Sequence, residues 1–178
     1  MSESTNNEKK TWKDKIPTLI AITTLLLAAC ATLTAFKAAG YGNRMVLAQS
    51  QASDQWAYYQ AKSIKETQYQ VQRDAMVAAL SQEMRSDAIN KQIAAFDKEI
   101  SRYKQEKNDI MKDAQKLEAD RDNAQKYNTA FGQGLMYLQV GILLSSLASV
   151  NKVYGYWYAG ATTGLVGVGY FLYATFIL

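Results

Sequence analysis

Three stretches without a charged residue, Ile16 to Phe36, Tyr127 to Val150 and Val153 to Leu178, bracket a polar span with no Gly or Pro between Gly42 and Gly132. Each stretch reaches the roughly 20 apolar residues that a helix needs to cross a bilayer. The span between them lacks both residue types that interrupt helices, so it is predicted to be helical almost throughout. A mean hydropathy of -0.24 hides this segregation by averaging apolar windows with a charged middle. The expected fold is all-α: an integral membrane protein with three transmembrane helices and a long antiparallel coiled-coil hairpin between the first and second. Its divisions are a cytoplasmic polar arm over 1–15, transmembrane helices over 16–36, 131–150 and 153–178, and an extramembrane helical hairpin over 37–130 turning near 81–88.

Charge narrows the function classes. The middle, Tyr41 to Lys126, holds 14 Lys/Arg against 13 Asp/Glu. Such balance offers no cationic surface for releasing counterions, so no nucleic-acid partner is expected. Mixed charge at this density is the mark of solvated helix faces. His is absent and Cys30 is the sole cysteine, which removes the commonest general base, the usual metal ligands and any intrachain disulfide. With no nucleophile–base pair and no metal spacing, no catalytic, cofactor-binding or metal residues are expected and the chain reads as no enzyme. Leu27-Ala28-Ala29-Cys30 resembles a lipoprotein lipobox. The apolar run continues to Phe36, however, and the first seven residues carry no basic side chain, so an uncleaved anchor is the better reading.

Lysines set the expected orientation. Lys9, Lys10, Lys13 and Lys15 precede the first span, and Lys152 sits in the short loop between the second and third. The positive-inside bias then puts the N-terminus in the cytoplasm of a bacterial inner (cell) membrane and the hairpin in the periplasm. Trp12, Tyr154, Tyr156, Trp157 and Tyr158 would line the inner interface, and Tyr41, Tyr127, Phe131, Tyr173 and Phe176 the outer. Pro17 is expected in the opening turn of the first helix, where a missing N–H costs little. No Asp, Glu, Lys, Arg or His falls within a span, so ion-coupled transport is not expected.

The hairpin is read from hydrophobic period. From Ile89, apolar residues recur at steps of four and three: Ile89, Ile93, Phe96, Ile100, Tyr103, Ile110, Ala114, Leu117, Ala124 and Phe131, with Lys107, Arg121 and Asn128 as polar breaks. That is a coiled-coil seam. Upstream a second phase runs Ala57, Ala61, Ile64, Gln68, Val71, Ala75 and Ala78. The two phases fail to join across Ser81 to Asp87, which places a reversal there. Both ends must return to one membrane face, so the turn belongs near Met84, midway between Lys37 and Phe131. Ser86 is the expected N-cap of the second arm. Each arm would run about 45 residues, roughly 65 Å at 1.5 Å per residue. The first seam, rich in Ala and Gln, buries little area, so further copies are expected to complete a bundle.

Within the first arm, Gln51-Ala52-Ser53-Asp54-Gln55-Trp56-Ala57-Tyr58-Tyr59-Gln60-Ala61-Lys62-Ser63-Ile64-Lys65 resembles the characteristic segment of the bacterial membrane-protein family catalogued as domain of unknown function 4337. The likeness extends to the order of the whole chain: a first span, this segment, a long helical region and two closing spans. It implies no catalytic or binding residues. Read physically, Asp54, Trp56, Tyr59 and Lys62 form the candidate interaction face, with Trp56, Tyr59 and Ser63 on one side of the helix and Lys62 within reach of Tyr58 for a cation–π contact. The plainer alternative is that Trp56 and Tyr59 fill the wide end of a bundle. Gly141, Ser145, Gly160, Gly164 and Gly167 are the candidate transmembrane packing residues, since small side chains let helices approach closely in lipid.

The functional expectation is a membrane-anchored coiled-coil structural or interaction protein that oligomerises and scaffolds partners. Its expected partners are the lipid bilayer, further copies of itself and an unidentified protein. The alternative is a subunit of a passive homo-oligomeric pore, with Thr23, Thr24, Thr162 and Thr163 lining the conduit and the coiled coil as its vestibule.

Overall fold

The computed structural model describes residues 12–79 and 86–178, with side chains from residue 16 onward. It is all-α. Helix α1 covers Trp12–Ala79, α2 covers Asp87–Asn151 and α3 covers Tyr154–Phe176. Since α1 begins at Trp12, Pro17 lies inside the helix and not in its opening turn. Its ring nitrogen cannot donate to the carbonyl of Lys13, so the helix forgoes one bond there. At the start of α2 the Ser86 carbonyl accepts from the N–H groups of Ile89 and Asn90 at 3.0 and 3.1 Å, which puts Ser86 at the N-cap position. The turn expected near 81–88 falls mostly outside the described residues.

Packing divides the chain into two compact units: residues up to Asn43 together with Ala124–Leu178, and Arg44–Asn123. The first unit thus takes in residues 37–43 and 124–126 beside the uncharged stretches.

In the unit Arg44–Asn123, α1 and α2 form an antiparallel pair. The contacts Arg73–Asp97 and Gln49–Arg121 are both centred on position 85, one residue from the midpoint inferred from membrane return. On α2 the expected seam holds: Phe96, Ile100, Tyr103, Ile110 and Ala114 are buried, while Ile89, Ile93 and Leu117 are half-buried. On α1 the seam takes a different phase. Ala57, Ala61, Ile64, Gln68, Val71, Ala75 and Ala78 are all exposed. Facing α2 instead are Ala48, Ala52, Trp56, Tyr59, Lys62, Glu66, Tyr69, Arg73 and Met76, all of them buried or half-buried. The physical reason is area and charge. Trp56, Tyr59 and Tyr69 bury far more surface than alanines can. Lys62, Glu66 and Arg73 meet opposite charges on α2.

In the other unit, α3 returns antiparallel to α2 after a two-residue link. Lys152 adopts a left-handed conformation with φ 56°, and Val153 is extended ahead of α3. The core comprises Leu27 and Ala31 of α1 against Leu138 of α2, flanked by Cys30, Leu135, Ile142 and Val168. A second cluster joins Ala130, Phe131 and Ala174, with Tyr41, Tyr127 and Phe171 around it. Tyr41 stacks on Tyr127 at 4.6 Å between centroids. Thr34 and Ser145 are fully buried, whereas Leu25 is 71% exposed, Phe36 78%, Leu143 68%, Leu165 70% and Phe176 79%.

Candidate functional site

Two constellations stand out, one in each unit. The first is a polar ladder inside the α1–α2 seam of Arg44–Asn123. Its steps follow from heptad spacing, because side chains three and four residues apart share a helix face. Trp56 Nε1 donates to Glu118 Oε1 at 2.9 Å, and its ring meets Tyr59 edge-on at 5.6 Å. One turn on, Lys62 Nζ lies 2.6 Å from Glu106 Oε2, over the rings of Tyr58 and Tyr103 at 5.1 and 5.4 Å. Lys107 Nζ reaches back to Glu66 Oε2 at 2.6 Å and to Ser63 Oγ at 3.3 Å, above the Tyr59 ring at 5.3 Å. Arg73 pairs with Asp97 at 3.1 Å toward the turn.

Burial grades these steps. Glu66 is 5% exposed, and its other oxygen accepts from Gln70 Nε2 at 3.2 Å. A carboxylate so enclosed depends on its ammonium partner, because an unpaired charge there would be costly. The Lys62–Glu106 step is more open. Its close contact holds the Glu106 carboxyl below the ordinary carboxylate range, and the same hydrogen bond raises Lys62 above the ordinary lysine value.

Three of the four candidate interaction residues, Trp56, Tyr59 and Lys62, therefore sit in the intrachain seam. Asp54 does not: it is exposed and borders an open cleft with Gln51, Gln55, Asp113, Lys116 and Asp120. Glu66, Glu106 and Glu118 complete the ladder with Lys107, and these three carboxylates were not marked in the sequence. The available signal was the polar break at Lys107, which required a carboxylate on the facing arm.

The second constellation is the small-residue contact of α2 with α3. All five candidate packing residues are brought together there. A Cβ on Gly141 would stand 2.8 Å from the Gly160 carbonyl oxygen and 3.0 Å from Gly164 Cα. On Gly160 it would meet Ser145 Oγ at 2.7 Å and the Gly141 carbonyl at 2.8 Å. On Gly167 it would strike Leu138 Cγ at 2.7 Å and the Gly134 carbonyl at 2.8 Å. Gly164 accommodates the Leu27 methyls of α1, which would lie 2.6 and 2.7 Å from such a Cβ. Glycine is thus required for backbone-to-backbone approach.

The hydroxyls of Thr23, Thr24, Thr162 and Thr163 turn inward on their own helices. Thr24 donates to the Ile20 carbonyl at 2.8 Å, and Thr163 to that of Ala159 at 2.8 Å. Thr162 bonds the Tyr158 and Ala159 carbonyls, both at 3.0 Å. Thr23 donates to Leu19 and Ile20 and accepts from Trp157 Nε1 at 3.1 Å, tying α1 to α3.

Comparison with curated proteins and with solved structures yields no match to either. One family model does match, and it does so from Pro17 to Ile177, taking in both constellations and all but the first residues of α1: the chain belongs to the family described as domain of unknown function (DUF4337).

Proposed function

We propose that this protein is an integral membrane protein of the bacterial inner membrane, with three spanning helices, that oligomerises and presents its coiled-coil pair as a scaffold for partners. It carries out no catalysis in this reading.

One observation carries the membrane assignment. In the unit formed by the ends of the chain, small and weakly polar residues pack inside beside a few large ones, Ile20, Leu27, Phe131 and Leu138, while many large apolar side chains face outward. Gly141, Ser145, Ala148, Gly160, Gly164 and Gly167 are buried, while Leu25, Leu26, Phe36, Leu143, Leu165 and Phe176 are exposed. In water that arrangement forfeits the hydrophobic effect. In lipid it is the expected one, since close packing of small residues holds helices together and apolar side chains meet acyl chains. Helices α1 and α2 contain windows long and apolar enough to cross a membrane. Helix α3 is shorter and dilutes its hydropathy with Gly and Tyr, yet its 23 residues include no charge, and at 1.5 Å per residue they reach about 35 Å.

The scaffold role is supported by the other unit, where three ion pairs, Lys62–Glu106, Glu66–Lys107 and Arg73–Asp97, join its two helices. The threonines lend the pore alternative no support, because each donates to a carbonyl of its own helix. Two measurements test the reading. The protein should stay in the membrane pellet after alkaline carbonate and urea extraction, and should run as an oligomer in native mass spectrometry from mild detergent. Release into the supernatant removes the membrane assignment, and a monomer at micromolar concentration removes the oligomeric scaffold.

A further inference from the structure

Helix α1 carries two heptad seams, and α2 occupies one of them. The other runs along the far side of the same helix: Ala57, Ala61, Ile64, Gln68, Val71, Ala75 and Ala78, at unbroken steps of four and three, all exposed. At 100° per residue it lies about 150° round from the face holding Lys62, Glu66 and Tyr69. Ile64 and Val71 are 69% and 62% exposed, and with Ser63, Thr67, Gln68 and Gln72 they line a shallow open groove. No charged residue falls on the stripe. A solvated helix face has no need of such regularity, whereas a seam that receives another helix does.

We infer that this stripe is the contact between copies of the chain, each α1 lying against the same stripe of a second copy, parallel and in register at Gln68. The inference rests on the membrane and oligomer reading above. The occupant is argued from three observations. First, among the described residues of this unit, every exposed large apolar side chain belongs to α1 and none to α2, so the apolar surface that copies can bury together is on α1. Second, charges agree: in a parallel pairing the flanking Lys65 faces Gln60 of the second copy and Asp74 faces Ala79, so like charges never meet. Third, anchors that enter one bilayer the same way round make every α1 run in the same sense, which selects the parallel arrangement. Gln68 then meets its own counterpart at the centre of the stripe, where two carboxamides satisfy each other as donor and acceptor and a slip in register would strand both.

Disulfide trapping in the full chain tests this. Cys30 is first replaced by Ala, and single cysteines are placed on the stripe (Ile64→Cys, Gln68→Cys) and on the outer face of α2 (Ser101→Cys, Gln105→Cys). Oxidation in native membranes should convert the stripe variants to homodimers and leave the α2 variants uncoupled. An oligomer by native mass spectrometry without dimers at 64 and 68 overturns the inference and leaves the oligomeric reading standing, whereas a monomer overturns both. Coupling of Ile64→Cys to Gln72→Cys in preference to itself, or to a different protein, also overturns it. As a second arm, Ile64→Asp with Val71→Asp should lose the oligomer while circular dichroism keeps its helical signal, since both side chains are exposed in the protomer. Survival of the oligomer in that variant rejects the stripe as the seam.

Discussion

A glycine in a helix is neutral or costly until something presses against it, and this chain has both kinds. Gly141→Ala and Gly167→Ala would force α2 and α3 apart, because the added methyl meets backbone atoms that cannot rotate away. Each is expected to destabilise the unit by about 1–3 kcal/mol. Gly169, with nothing within 4 Å of its would-be Cβ, should respond in the opposite direction. Gly169→Ala is expected to stabilise by up to about 1 kcal/mol through helix propensity alone. Denaturant titration in detergent micelles would separate the two classes, and equal losses for all three would deny the close α2–α3 contact. A charged residue obeys a similar logic of surroundings. Glu66→Ala strands Lys107 in the seam and should cost about 3 kcal/mol. Adding Lys107→Leu should recover much of it, which a double-mutant cycle by thermal melts would read.

At the scale of elements, the α1–α2 pair is held by a ladder whose charge states set its pH range. Glu106 is depressed in the folded pair, so its contribution is complete above the ordinary carboxylate range and is lost as pH falls through the lower folded value. Lys62 is raised, so its contribution is complete below the ordinary lysine value and is lost as pH rises through the higher one. Stability of the seam should therefore be level around neutrality and decline in acid and in strong alkali. Melts of Glu106→Gln should show a weaker acid decline than the parent, and an unchanged profile would exclude the step. The α2–α3 link makes a sharper point. Lys152 holds a left-handed backbone at φ 56°, a conformation that costs a side chain about 1 kcal/mol and glycine nothing. Lys152→Gly should therefore raise stability by up to about that amount, measured by the same micellar titration.

For the whole molecule, the membrane reading makes one topological demand: an even passage out and back. Lys37, just past the first uncharged stretch, and Gly132, near the start of the second, are exposed. Cysteines at these two positions, in a Cys30→Ala background, should both react with an impermeant maleimide added from the periplasmic side of spheroplasts. A cysteine at Lys10 should react only after permeabilisation. Labelling of 37 and 132 from opposite sides would break the hairpin-between-spans arrangement, and with it the parallel pairing of α1 stripes.

The all-α class, the seam of α2 and the small-residue contact of α2 with α3 were all legible in the linear chain, because each is a local period written by one kind of residue. Phe96, Ile100, Tyr103 and Ile110 offer a single apolar face, and Gly141, Gly160, Gly164 and Gly167 leave room for a neighbouring helix to approach closely. Helix α1 was different. It carries two periodic faces, one of Ala, Ile, Gln and Val and one of Trp, Tyr, Lys, Glu and Arg, and a rule that counts apolar residues chooses the first. The folded pair chose the second, since the large rings bury more area and the charges find their opposites only once α2 lies alongside. Which face of an amphipathic helix is the inside is a property of its neighbour, and that is what the tertiary structure decided.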